Sequence, residues 1–119
     1  IVGPVPHTEV SSYIEKAQIC VFPSHVESFG LVLLEALMMG KVVLASNIEP
    51  FKEIKGKEHI FEFINEISPE NISKKIIGLL NSNNETQKMG ELARENTFKR
   101  FNEETITTKN IQYYNLILS

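Results

Sequence analysis

Apolar positions along the 119-residue chain follow two alternating rhythms. Short runs rich in β-branched and aromatic types, Ile19-Cys20-Val21-Phe22-Pro23 and Lys41-Val42-Val43-Leu44-Ala45, read as buried strands. Between them, residues 31–39 form an apolar helix-forming run closed by Gly40. Strand, loop, helix, strand is a βαβ unit, and its loop lies at the carboxyl edge of the sheet, where open α/β sheets hold ligands. Upstream, Thr8 can cap a helix over residues 9–17, whose Val10, Tyr13, Ile14 and Ala17 recur at helical spacing and should pack on the sheet. Downstream, Ile60-Phe61-Glu62-Phe63-Ile64 alternates in part and is the next strand. Ser68 caps a further helix, with Pro69 in its first turn, that reaches about residue 80 and carries an apolar face of Ile72, Ile76, Ile77, Leu79 and Leu80. After the polar break of residues 81–84, residues 85–100 read as another helix with Met89, Leu92 and Ala93 inward, and Asn102 caps a last one reaching about residue 118. These helical stripes read as core rather than binding surface. The mixed-sign stretch Lys52-Glu53-Ile54-Lys55-Gly56-Lys57-Glu58 reads as a solvated turn.

This layout predicts an α/β fold with a mainly parallel sheet and a helical C-terminal tail. The length is that of one domain, and the 42% apolar share can furnish a single core. A formal charge of -3, with no basic stripe interleaved with aromatics, argues against nucleic acid as a main partner. The sequence contains no aspartate, which excludes an Asp-x-Asp metal clamp and the usual calcium loops. His7, His25 and His59 are too scattered to read as ligands, and no cysteine pair joins them, so no metal site is expected. His25 lies in the loop after the first strand and reads as an exposed loop histidine. Cys20, the only cysteine, reads as a small buried hydrophobe suited to a reducing compartment. No signal peptide is visible, and Glu35 interrupts the longest apolar helix, so no membrane span is expected. Two Asn-x-Ser/Thr triplets, at Asn71 and Asn84, are chance matches in an asparagine-rich chain.

The chemistry concentrates in Glu27-Ser28-Phe29-Gly30-Leu31-Val32-Leu33-Leu34-Glu35. Gly30 lets the backbone approach a ligand, and the first amides of the following helix lack internal partners, which suits a phosphate. Glu27, just ahead of that helix, would repel a phosphate if it pointed inward, so a role facing sugar hydroxyls fits it better. Glu35, further along the helix, can accept two hydroxyl donors at once, as a ribose diol offers. The plainer alternative makes Glu27 a solvated loop residue and Glu35 a structural contact.

The length of the match weighs against that alternative. Residues 21–54, VFPSHVESFGLVLLEALMMGKVVLASNIEPFKEI, resemble the retaining glycosyltransferases of family 4, also called group 1. Pro23-Ser24, Phe29-Gly30-Leu31-Val32, Leu34-Glu35-Ala36, Gly40, Ala45-Ser46 and Glu53-Ile54 carry the resemblance, with weaker echoes at Gly3, Val5, Ala17, Met89-Gly90 and Ala93-Arg94. It implies that Glu27 acts at the catalytic centre, contacting the donor sugar or its phosphate near the anomeric carbon. It further implies that Ser28, Phe29, Gly30 and Leu31 present backbone amides to the diphosphate and sugar, and that Glu35 binds the nucleotide ribose. Three departures from the family pattern stand out: Ser28 for glycine, Val42 for proline, and Glu49-Pro50-Phe51 for a Gly-Gly-x-Pro turn that often approaches the donor.

The resemblance implies a Rossmann-like three-layer domain, residues 1–119 forming part of the donor half of a two-domain GT-B enzyme. Its third strand would start at Ile1, so the first two strands and a diphosphate-neutralising Arg/Lys pair would lie upstream, as in a chain truncated at its N-terminus. The implied substrate is a nucleoside diphosphate sugar, with no cofactor, and a sugar or lipid-linked acceptor held by the other domain. The implied setting is bacterial polysaccharide or glycolipid assembly in the cytoplasm, with room for peripheral attachment of the full-length protein to the inner membrane face. Two other functions share such a scaffold: a non-catalytic nucleotide-sugar-binding or interaction domain, which the Glu49-Pro50 departure favours, and a sugar-nucleotide epimerase.

Overall fold

The computed structural model describes residues 2–101. The βαβ unit is its centre. Strand β1 (Ile19–Phe22), helix α2 (Leu31–Met38) and strand β2 (Val42–Ser46) follow one another, with helix α1 (His7–Lys16) ahead of them. Helix α3 (Glu49–Lys55), strand β3 (Glu62–Ile64) and helices α4 (Pro69–Leu80) and α5 (Asn83–Arg100) complete the order. The strands lie β1-β2-β3 and are parallel throughout, Ile19 opposite Val42 and Leu44 opposite Glu62. Each crossover is helical, as parallel pairing demands. At the carboxyl end of the sheet the Ser46 hydroxyl donates to the Phe22 carbonyl at 3.1 Å, tying β1 to β2 where the loop departs.

The core forms where α2 meets the sheet and α5. Leu33, Leu34, Ala36 and Leu37 of α2 are buried with Val43, Leu44 and Ala45 of β2 and Ala93 of α5. Helix α2 is apolar on nearly every side, which marks a helix enclosed by its neighbours. It stops at Gly40, whose φ of 72° reverses the chain into β2. Helix α5 rests directly on that reversal: a β-carbon at Gly90 would collide with the Gly40 carbonyl oxygen. Cys20 is buried in β1, and burial pushes its thiol pKa up, against a smaller downward pull from Lys41.

Several elements differ from the sequence expectations. Residues 2–6 run without regular structure, where a strand was expected from residue 1 onward. Helix α1 begins at His7 with Pro6 at the cap position and no side-chain cap, so Thr8 lies inside the first turn. Its Ile14 is buried, but Tyr13 is exposed. Of the strand expected over residues 60–64 only the last three residues pair; Ile60 and Phe61 are fully buried without joining the ladder.

The largest difference is α3, which stands where a solvated turn was expected. Pro50 occupies its first turn, where a missing N–H costs nothing, and Phe51 and Ile54, one turn apart, point into the core. Only from Gly56 onward, at φ 60°, does the chain turn as expected. Helix α4 starts as predicted, the Ser68 hydroxyl accepting the Asn71 amide at 3.2 Å. Its apolar stripe is not core, however: no α4 residue is buried, and Ile77 and Leu80 are exposed. The short β3 lies at the margin of the described sheet and offers the helix little surface to cover. In α5, Met89 and Ala93 are buried as expected, whereas Leu92 is exposed. The helix expected from Asn102 lies outside the described residues.

Candidate functional site

The loop from Pro23 to Gly30 leaves the carboxyl end of β1 and delivers the chain into α2. Its last residue carries the geometry. Gly30 adopts a left-handed conformation, φ 68° and ψ 38°, at the cap position of α2. It is also wedged against α3: a β-carbon there would stand 2.9 Å from Phe51 Cε1 and 3.0 Å from Ile54 Cδ1. The Gly30 carbonyl accepts the Leu34 amide at 2.9 Å, and no side chain caps the amides that precede it. Those first-turn N–H groups have no acceptor within the helix and sit at the positive end of its dipole. Such an end attracts anionic oxygens.

Beside this helix start is a cavity of about 150 Å³ lined by Glu27, Ser28, Phe29, Gly30, Leu31, Val32 and Leu33, with Phe22 from β1 and Phe51 from α3. Five of the six residues singled out in the sequence therefore line one cavity. The sixth, Glu35, lies outside that lining. It sits half-buried on the second turn of α2, with its Oε1 3.2 Å from His7 Nε2 at the start of α1. Glu27 is exposed in the loop, on the cavity side of the helix start. The two carboxylates thus flank the first turn of α2 but face different surroundings.

Sequence reasoning missed two participants. Phe51 was hidden because α3 was read as a turn; the signal was present in Pro50 followed by Phe51 and Ile54 at helical spacing. His7 carried no local signal, since its contact with Glu35 depends on how α1 docks against α2. His25 is exposed, as expected of a loop histidine. Among the described residues no three His, Cys, Asp or Glu side chains group as a metal site, and no helix is long and apolar enough to cross a membrane.

A larger cleft of about 570 Å³ lies between α4 and α5, its lining mixing apolar Leu79, Met89 and Leu92 with charged residues of both signs. It is remote in the chain from the loop at Gly30 and shares no lining residue with the first cavity.

Comparison with known proteins identifies the family of the chain. The chain is 30% identical to a glycogen synthase of Mycobacterium tuberculosis (strain CDC 1551 / Oshkosh) over 115 residues, which are 95% of this chain and 27% of that protein. It is 31% identical to an O-antigen chain mannosyltransferase B of Escherichia coli over 117 residues, 97% of this chain and 29% of that one. A D-inositol 3-phosphate glycosyltransferase of Streptosporangium roseum matches a shorter stretch of 48 residues at 44% identity, covering 40% of this chain and 11% of that protein. Among solved structures, a sucrose-phosphate synthase from Thermosynechococcus elongatus superposes with a TM-score of 0.79 at 27% identity, over 98% of this chain and 29% of that one. The chain therefore spans less than a third of the length of these relatives. Residues 1–96 match the family described as glycosyl transferases group 1, and with four-fifths of its length inside that match the chain belongs to this family.

Proposed function

We propose that this chain is the donor-binding part of a retaining family 4 glycosyltransferase that moves a sugar from a nucleoside diphosphate sugar to an acceptor hydroxyl. One observation carries the reading: a left-handed glycine sets an uncapped helix start beside a cavity that Glu27 also lines. In this reading the diphosphate and sugar accept hydrogen bonds from the backbone amides of Ser28, Phe29 and Gly30 in the loop and of Leu31 at the start of α2. Negative charge developing on the leaving diphosphate is met by fixed N–H dipoles that need no reorganisation at the moment of transfer. Basic side chains elsewhere in the full enzyme share that task. Glu27 positions the donor sugar near its anomeric carbon and does not act as a nucleophile.

Glu35 takes the ribose diol from the second turn of the same helix, so the donor would run along α2 from nucleoside to sugar. A cavity of about 150 Å³ is smaller than the roughly 300–1,000 Å³ of a complete ligand pocket, so it serves as one wall of the site. The facing wall and the acceptor belong to a second domain. The names of the glycogen synthase and O-antigen mannosyltransferase relatives favour polysaccharide assembly. The proposed setting is the cytoplasm or the inner face of its membrane, with glycolipid assembly as the other product class.

Glu35→Ala in the full-length protein tests the reading. Calorimetry with the nucleoside diphosphate sugar should show binding weakened by about 1–3 kcal/mol, the scale of a lost charge-assisted hydrogen-bond pair. Unchanged affinity removes the ribose role. A non-catalytic nucleotide-sugar domain is the second reading, favoured by Glu49 and Pro50, which start α3 and depart from the Gly-Gly-x-Pro turn of the family pattern. Formation of product from labelled donor and acceptor separates the two.

A further inference from the structure

Glu35 does not stand alone on α2. The imidazole of His7, the first residue of α1, brings Nε2 to 3.2 Å from Glu35 Oε1, across 28 positions of sequence. The contact is made by two elements that pack together, not by neighbours in one helix. It is also lopsided: the His7 side chain is 77% exposed and that of Glu35 36%. A pair so open to water adds little to folding stability. Its consequence is geometric. A carboxylate on a three-torsion side chain can turn through many orientations, and a donor at one oxygen narrows that set. One imidazole N–H uses a single lone-pair direction and leaves the others for further donors.

We propose that His7 is a positioning residue for the nucleoside end of the donor site, holding the Glu35 carboxylate ready for a ribose diol. This inference rests on the reading of Glu35 as the ribose ligand. His7 touches the acid and not the substrate, so it acts through Glu35 alone. Removing the imidazole lets the carboxylate swing, and binding then loses part of its preorganisation.

The experiment uses full-length protein and calorimetry with UDP, GDP and ADP, followed by the 2′,3′-dideoxy form of whichever nucleotide binds best. His7→Ala should weaken the ribonucleotide about three- to fivefold, the upper end for a largely exposed side-chain pair. The same variant should leave the dideoxynucleotide unchanged, since that ligand offers Glu35 no hydroxyls. His7→Gln places an amide N–H near the position of Nε2 and should restore most of the lost affinity. Equal affinity of His7→Ala and the natural protein for the ribonucleotide overturns the inference, and so does an equal loss with both ligands, which would mark a merely structural residue. If the natural protein binds none of the three nucleotides, the donor-site reading itself fails and takes the inference with it.

Discussion

Gly30 is where residue type is decided twice over. Its backbone φ of 68° lies in the left-handed region, which costs an L-residue roughly 1–2 kcal/mol, and its missing β-carbon leaves room for Phe51 and Ile54. Those two side chains belong to α3, so the same residue that starts α2 also lets α3 close against the loop. Gly30→Ala therefore adds overpacking to backbone strain and should lower unfolding stability by about 2–4 kcal/mol, read from a shifted urea midpoint. Phe51 and Ile54 are buried core residues rather than flexible surface side chains, so they cannot simply step aside. An unshifted midpoint would mean that the loop can take another path into α2. The position was legible in the sequence as a glycine before an apolar helix, but its contact with Phe51 was not, because that contact depends on an element the sequence pattern had concealed.

At the scale of elements, the βαβ unit was readable because β1, α2 and β2 are short, strongly apolar and punctuated by Pro23, Gly30 and Gly40. Helix α3 was not, since five of its seven residues are charged or proline, and its apolar content is a single pair. Tertiary contacts make up the difference. Beyond the burial of Phe51 and Ile54, Arg100 at the end of α5 donates Nη1 to the Ile54 carbonyl at 2.8 Å and Nη2 to the Glu53 carbonyl at 2.9 Å. Asn96 Oδ1, 3.1 Å from Nη1, steadies the guanidinium from one turn earlier. These are carbonyls that a helix C-terminus leaves without internal partners, and a cation there also suits the helix dipole. Arg100→Ala should cost about 1–3 kcal/mol, the range for hydrogen bonds from a charged donor, and should fray α3 before anything else. Hydrogen exchange over residues 49–56 checks this: faster exchange there, with α2 unchanged, is expected, whereas a uniform rise would make Arg100 a general stabiliser. The stripe on α4 carries the opposite lesson. Helical spacing announced the helix correctly, but spacing records which residues share a face and not what that face meets, and Ile77 and Leu80 remain exposed.

Over the whole molecule, the parallel strands send their carboxyl ends toward the loop that precedes α2, and apolar side chains crowd there. Val26 is 88% exposed, with Phe29, Leu31 and Val32 also open, all within seven positions of sequence around the cavity. Clustered apolar exposure beside a ligand site marks a surface that something covers. In the proposed reading that cover is the acceptor side of a two-domain enzyme, which closes over a donor already held by α2. The two steps can be separated at Val26, which does not line the cavity and is far too exposed to matter for folding. Val26→Ser in the full-length protein should leave the affinity for the nucleotide sugar unchanged. Transfer to acceptor should fall about fivefold, as expected from losing roughly 1 kcal/mol of apolar contact that forms only on closure. Steady-state kinetics with donor and acceptor varied in turn provide the measurement. A fall in donor affinity would place Val26 in the donor pocket instead, and unchanged turnover would show that the exposed face takes no part in closure.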